Sequence, residues 1–312
     1  MAKFLITGGA GFIGSNITEA LLKKKHKVRI LDNFSTGKMS NIAGFRSKIE
    51  IIKGDIRDVK TVNRAVKGVD YVLHQAALPS VARSVADPAT SNKVNIEGTL
   101  NVLIAARDHK IKRLVYAASS SAYGDTPILP KVETMPSNPQ SPYATTKLAG
   151  ELYCRNFSKI FGVETVCLRY FNVFGPKQDP ASFYSAVIPK FISSMLRGES
   201  PHINGDGRQS RDFTYIENVV SANILACTAP NASGEVFNIA CGKRYTVVEL
   251  AEKIARILRM TLELEFGPAR PGDVKHSLAD IRKAKRILKY TVKVDFNEGL
   301  RRTIHWFITG GK

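Results

Sequence analysis

The chain has 312 residues, 44% of them hydrophobic and 23% charged, with a formal net charge of +19. That length suits one large α/β core or two modest domains, and no apolar stretch reaches the ~20 residues of a membrane helix, so no membrane span is expected and a cytoplasmic protein is. The basic residues are dispersed without interleaved aromatics, which argues against nucleic-acid binding and for a solvated surface whose field attracts anionic nucleotides.

The first predicted element is a buried strand, Phe4-Leu5-Ile6, and an amphipathic helix follows over residues 13–24. The early apolar run is thus a strand and not a signal peptide. Between strand and helix stand Gly8, Gly11 and Gly14, an order that a dinucleotide site requires. Gly8 permits the tight turn, Gly11 lets backbone N–H groups approach a pyrophosphate, and Gly14 allows close helix packing. The phosphates would then meet the positive helix end at Gly11-Phe12-Ile13-Gly14. The spacing is G-x-x-G-x-x-G and not the more usual G-x-G-x-x-G. A second strand, Val28-Arg29-Ile30-Leu31, ends at Asp32, 18 residues beyond Gly14. A carboxylate there accepts the adenosine ribose hydroxyls and repels a 2′-phosphate, which predicts NAD over NADP. The polar turn Asn33-Phe34-Ser35-Thr36-Gly37 is placed to close over that ribose. After a third strand over residues 49–52, Gly54-Asp55-Ile56 puts Asp55 against the adenine edge or at the cap of a helix over residues 59–66.

Tyr71-Val72-Leu73 reads as the fourth strand, and His74-Gln75-Ala76-Ala77 follows it with small residues suited to a close cofactor. A helix is predicted over residues 84–108. Strand Leu114-Val115-Tyr116-Ala117-Ala118 then runs into Ser119-Ser120-Ser121-Ala122-Tyr123-Gly124. Next, Ser141-Pro142-Tyr143-Ala144-Thr145-Thr146-Lys147 opens a helix over residues 143–161, and residues 165–168 form a sixth strand. Tyr143 and Lys147, four apart, share a helix face. An ammonium ~5 Å from a phenol, through an effective dielectric of ~20, favours the phenolate by roughly 3 kcal/mol. That would lower a pKa ordinarily about 10 by about two and make Tyr143 a general base near neutral pH.

Alternating strands and helices imply a doubly wound, parallel, Rossmann-type sheet with ligands at the carboxyl ends of its strands. Beyond Phe171-Asn172-Val173-Phe174-Gly175-Pro176 the chain is richer in Gly, Pro and loops. The expected organisation is a dinucleotide-binding domain over residues 1–175 and a smaller C-terminal α/β substrate-binding lobe over residues 176–312. The chain is expected to cross back to the sheet near residues 212–216 and 236–240 and to close with a helix over residues 297–307. Cys154, Cys167, Cys227 and Cys241 lack metal-ligand spacing and read as core fillers in a reducing compartment, so no metal is expected.

With these motifs the chain resembles the extended short-chain dehydrogenase/reductases over essentially its whole length. Within them it is similar to the UDP-hexose 4-epimerases, most nearly those acting on UDP-N-acetylglucosamine. The resemblance is carried by the glycine turn, the Ser119 block, Ser141-Pro142-Tyr143 with Lys147, and Leu168-Arg169-Tyr170-Phe171-Asn172-Val173-Phe174-Gly175-Pro176. Gly205-Asp206-Gly207, Arg211-Asp212-Phe213 and Arg270-Pro271-Gly272-Asp273 add to it. It implies that Tyr143, as phenolate, removes the proton of the sugar 4-hydroxyl while C4 passes a hydride to tightly held NAD. Lys147 would lower the tyrosine pKa and bind the nicotinamide ribose, and Ser119 would hydrogen-bond the reacting hydroxyl. The 4-keto sugar would turn over and take the hydride back on its other face.

The same resemblance implies that Tyr170 borders the cofactor and that Ser80 and Ser121 border the substrate. Asn172, Gln178 and the backbone at Ala186-Val187-Ile188 would hold sugar and diphosphate. Arg211 and Arg270 would clamp the phosphates, for which a guanidinium fork is suited. Asp273 would accept the uridine ribose hydroxyls, and Ser277, four residues on, would leave room for an N-acetyl group at sugar C2. Pro79 stands where near relatives carry glycine. Sugar 4,6-dehydratases and UDP-glucuronate decarboxylases carry acids in the block where this chain has Ser120-Ser121, so neither activity is expected. The expected protein is a homodimer, paired through helices over residues 88–108 and 143–161 with Leu100, Leu103 and Ile104 in the seam. The alternatives are a 4-epimerase of UDP-glucose or UDP-glucuronate, a net oxidoreductase, and a non-catalytic NAD-sensing module.

Overall fold

Strand β1 (Lys3–Thr7) is apolar on both faces: Phe4 and Ile6 enter one hydrophobic layer and Leu5 the other. A strand of this kind needs helices above and below it. The computed structural model describes residues 1–180, 186–268 and 274–310. After β1 come α1 (Phe12–Lys23), β2 (Lys27–Asp32), β3 (Glu50–Lys53), α2 (Val59–Val66) and β4 (Tyr71–His74). Then follow α3 (Val81–Ala86), α4 (Pro88–Asn92), α5 (Gly98–Asp108), β5 (Arg113–Ser119), α6 (Pro142–Phe161) and β6 (Thr165–Tyr170).

The second part of the chain supplies β7 (Val173–Phe174), α7 (Val187–Leu196), β8 (His202–Asn204), β9 (Ser210–Arg211), β10 (Thr214–Tyr215) and α8 (Ile216–Thr228). It continues with β11 (Glu235–Ile239), β12 (Tyr245–Thr246), α9 (Val247–Leu258), β13 (Glu265–Gly267), α10 (Arg282–Leu288) and α11 (Phe296–Ile308).

Seven strands form one parallel sheet in the order β11-β6-β5-β4-β1-β2-β3. Helices α1 and α8 cover one face; α2, α5 and α6 cover the other. The expected return to the sheet occurs at β11, which pairs with β6. Residues 214–215 do not join that sheet; as β10 they pair with β7 in a separate two-stranded ladder. Helices α7, α9 and α11, all from the second part of the chain, pack together. An aromatic cluster ties β7 to α11: Phe296 stacks on Phe213 and Tyr245 with ring centroids 5.3 and 4.2 Å apart, and meets Phe174 edge-on at 5.7 Å.

The single helix predicted over residues 84–108 is broken. Asp87 leaves helical geometry (φ −142°, ψ 81°), as a residue before proline prefers to, and its carboxylate accepts the Thr90 N–H at 2.9 Å to start α4 at Pro88. A π-helical turn, Lys93–Glu97, then separates α4 from α5. Leu103 is fully buried in the chain's own core and not in an outward seam, while Leu100 and Ile104 beside it pack against the same core and stay half-buried. No helix among the described residues is long and apolar enough to cross a membrane, and no three of their His, Cys, Asp and Glu side chains gather as a metal site.

Candidate functional site

The strand order reverses direction between β1 and β4, and a cleft of about 430 Å³ opens over the carboxyl ends of those two strands. Gly8, at φ +68°, closes β1 directly against β4: a Cβ there would stand 2.8 Å from the Ala76 nitrogen. A Cβ on Gly14 would come within 2.2 Å of the Gly8 carbonyl oxygen, so only glycine lets α1 start this close to the strand. The cradle of Gly8, Gly11, Phe12, Ile13 and Gly14 lines the cleft at the start of α1.

Asp32, Asn33 and Ser35 line the same cleft beyond β2. The two carboxylate oxygens of Asp32 accept one N–H each, from Ala10 at 2.9 Å and Phe34 at 2.8 Å, which leaves lone pairs for ribose hydroxyls. Burial raises the Asp32 pKa, and the two N–H donors oppose that shift. Gly37 is not in the cleft wall; it backs Asp32, where a Cβ would lie 2.9 Å from both carboxylate oxygens. Asp55 and Ile56 line the cleft, and Arg57 holds Asp55 in a two-pronged pair at 2.8 and 2.9 Å that lowers its pKa to about 2. The alternative role of Asp55 as a helix cap is taken by Asp58, which accepts the Lys60 N–H at 3.0 Å at the start of α2. Gln75, Ala76 and Ala77 form the β4 side. Gln75 is fixed by Tyr170 at 3.2 Å and by Asn223 of α8 at 3.1 Å. These features fit a dinucleotide with a free adenosine ribose: a glycine cradle, a carboxylate with unused lone pairs, and an uncharged β4 wall.

On the facing wall, Tyr143 and Lys147 of α6 both reach the cleft. Ser119 ends β5 and accepts the Ser121 hydroxyl at 2.8 Å and the Ser121 N–H at 3.2 Å. The predicted lowering of the tyrosine pKa by Lys147 is not observed. Burial raises the Tyr143 pKa, with the Ser119 hydroxyl pulling the other way. The reason lies in Lys147 itself: it is buried, its pKa is driven down to about 8, and its Nζ lies over the ring of Tyr116, 4.7 Å from the centroid.

Two side chains that the sequence reading missed hold Tyr143 in place. Ser84, fully buried in α3, accepts the Tyr143 N–H at 2.9 Å. Asn95, in the π turn, donates to Thr146 Oγ1 at 3.0 Å and grips the cleft residue Leu78 through both its N–H (2.8 Å) and its carbonyl (3.2 Å). The irregular turn was the available sign, since π bulges gather at functional sites, but no residue pattern in the sequence marks it.

From the second part of the chain, Gln178 and Ala186 line the cleft. Val187 opens α7 beside it, and Ile188 turns its side chain into the core. Asn172 and Ser277 are brought together: Asn172 Nδ2 donates to Ser277 Oγ at 3.1 Å, and so does the Asp212 N–H at 3.3 Å. Asp212 is fully buried, and its carboxylate gathers the N–H groups of Cys241, Gly242 and Ala279 at 2.9–3.2 Å. Burial brings its pKa up to about 7 against those donors. Arg211 is anchored by the carbonyls of Ser210 and Lys275, both at 3.0 Å. Ser80 caps α3 at φ +101°, a strained value for a non-glycine residue, next to the cleft residue Pro79. Ser80, Ser119, Ser121, Asn172, Val187, Ile188, Arg211 and Ser277 stand outside the cleft wall itself. Arg270 and Asp273 lie outside the described residues.

The loop after β7 closes over the glycine cradle. Asn16 donates to the Pro176 carbonyl at 3.1 Å, Lys177 pairs with Glu19 at 2.9 Å, and Lys38 pairs with Asp179 at 2.6 Å. Lys38, Lys177 and Asp179 also line the cleft, and none of the three was anticipated.

The profile of the NAD dependent epimerase/dehydratase family matches residues 4–240. The putative UDP-glucose 4-epimerase of Methanocaldococcus jannaschii is 40% identical over 305 residues, covering 97% of each chain. The structure of the UDP-N-acetylglucosamine 4-epimerase of Methanobrevibacter ruminantium, in complex with UDP-N-acetylmuramic acid, is 44% identical, covers 99% of each chain and superposes with a TM-score of 0.95. The structure of the UDP-glucose 4-epimerase of Thermotoga maritima with UDP-glucose has the same TM-score of 0.95 at 37% identity, covering 99% of this chain and 100% of that one.

Proposed function

The chain belongs to the NAD dependent epimerase/dehydratase family, and from that premise we propose that it is a UDP-sugar 4-epimerase that interconverts UDP-N-acetylglucosamine and UDP-N-acetylgalactosamine. The observation that carries this reading is the meeting of the glycine cradle and Asp32 with Tyr143 and Lys147 in one cleft. Bound NAD supplies the hydride acceptor and donor for sugar C4. Tyr143 takes the 4-hydroxyl proton as the carbonyl forms and returns it when the hydride comes back. The Ser119 hydroxyl favours the phenolate form of Tyr143 and steadies the oxygen that changes charge, and Lys147, as ammonium, binds the nicotinamide ribose. The N-terminal turn of α7 at Ala186 offers backbone N–H groups to the diphosphate. Arg211, Arg270 and Asp273 complete the grip on the nucleotide.

The preference for N-acetylated sugars rests on Ser277, a small side chain whose hydroxyl is already fixed by Asn172 and Asp212. A second reading, UDP-glucose and UDP-galactose as substrates, is favoured by the Thermotoga maritima and Methanocaldococcus jannaschii relatives. Resolving the C4 epimers formed from each UDP-sugar decides between the two.

Two outcomes follow from the cofactor and the surface. The purified protein is expected to release NAD and not NADP on heating, because a 2′-phosphate would meet the Asp32 carboxylate. An extract containing mainly NADP would overturn the reading of Asp32. A homodimer is expected through α5 and α6, where Leu100 and Ile104 are half-buried and Leu152 and Ile160 are 46% and 68% exposed. Light scattering checks it: a monomer mass at micromolar concentration would defeat the pairing.

A further inference from the structure

We propose that Tyr116 is a positioning residue for Lys147: its ring holds the Lys147 side chain as an ammonium and thereby sets the pH at which the rate stops rising. This rests on the role given to Lys147 above. Tyr116 stands in β5, three residues before Ser119, and is 1% exposed; Lys147 is 5% exposed. The Lys147 Nζ lies 4.7 Å from the Tyr116 ring centroid, where the negative face of the ring attracts a cation. The Tyr116 hydroxyl also donates to the Lys147 carbonyl at 3.3 Å, so one ring fixes both the backbone and the tip of the same lysine.

Gly150 makes this approach possible. A Cβ at that position would stand 2.3 Å from the Tyr116 hydroxyl oxygen and 2.6 Å from Cζ. A glycine inside a helix weakens it relative to alanine, and here its place is explained by the ring pressed against α6.

Among the described residues, the titratable groups turned towards the same spot carry no full negative charge while Tyr143 is a phenol. His74 of β4 lies behind the ring, centroids 5.7 Å apart, and is neutral, with burial driving its pKa down to about 3. Tyr143 and Cys154 belong to α6 and Cys167 to β6. Glu151 and Arg169, further along, close on each other at 2.7 Å as a buried pair. Arg83 of α3 is half-buried, and Lys93 and Glu97 of the π turn are exposed. Burial works against the Lys147 charge, and the two thiols favour it. Among the described residues, the aromatic face is the stabiliser in contact with the ammonium.

The test keeps the shape of the ring and weakens its field. Tyr116→Phe is compared with mono-, di- and trifluorophenylalanine at the same position in the NAD-loaded protein. The Lys147 titration is read by NMR of protein carrying isotope-labelled lysine, alongside the pH profile of kcat/KM. The Lys147 midpoint is expected to stay near the wild-type value in Tyr116→Phe and to fall stepwise with fluorination, by about one pH unit at the end of the series. The pH at which the rising limb of kcat/KM levels off, set by the amine because the phenol titrates above it, should move with it. A midpoint unchanged across the series overturns the proposal, and so does a limb that stays fixed while the midpoint moves. The NMR titration needs no turnover: a stepwise fall in a protein inactive on every UDP-sugar would support the hold of the ring on Lys147 and overturn the epimerase reading alone.

Discussion

Tyr143→Phe is expected to lower kcat about a thousandfold while UDP-sugar binding stays within a few-fold of wild type. The substitution removes one oxygen. The contacts that place residue 143, from Ser84 to its N–H and from Thr146 to its carbonyl, are made to the backbone and survive. The pH dependence gives a second signature. Burial raises the Tyr143 pKa and lowers that of Lys147 to about 8. The active form needs the phenol deprotonated and the amine protonated. Because the amine titrates below the phenol, that pair is a minority form: wild-type kcat/KM should rise with pH until Lys147 titrates and fall once Tyr143 does, the two apparent values belonging to the pair. In Tyr143→Phe the rising limb should vanish. Near-wild-type turnover in that variant would remove Tyr143 from the mechanism.

Ser277→Tyr is expected to lower the ratio of kcat/KM for UDP-N-acetylglucosamine over UDP-glucose by about 5- to 150-fold, as overpacking a pocket by ~1–3 kcal/mol would. Ser277→Ala is the necessary companion, because the Ser277 hydroxyl also accepts from Asn172 and from the Asp212 N–H. If bulk is the cause, Ser277→Ala should leave the ratio near wild type even where both rates drop. An unchanged ratio in Ser277→Tyr, or a wild type that refuses N-acetylated sugars, would contradict the role given to this residue.

The sheet was legible because its strands are short apolar runs bounded by turn residues. Phe4-Leu5-Ile6 and Leu114 to Ala118 sit inside β1 and β5 with only their ends extended. Gly8, Gly14 and Asp32 were legible because each stands where a strand ends or a helix begins, a place that the apolar runs on either side mark in the sequence. What was not legible depends on distant packing. Asp87-Pro88 announces a helix break in the sequence, yet the apolar spacing across it suggested one continuous helix. Leu103 matches Leu100 and Ile104 in composition, and only the fold decides which of them is fully buried. The shift of Tyr143 was misjudged because spacing along a helix fixes which residues are neighbours but not where a long lysine side chain points; Tyr116, from another strand, decides that. Ser84, Asn95 and Asp212 are ordinary polar residues in sequence, and their importance comes from burial and from partners 29 or more positions away: Tyr143, Thr146 and Cys241.

The most direct measurement is incubation of the NAD-loaded protein with UDP-N-acetylglucosamine, resolving the C4 epimers while the absorbance of reduced nicotinamide is followed. Formation of UDP-N-acetylgalactosamine with no net accumulation of reduced nicotinamide is expected, since the hydride that leaves C4 returns to it. Stoichiometric accumulation of reduced nicotinamide, or no epimer from any UDP-sugar, would contradict the assignment.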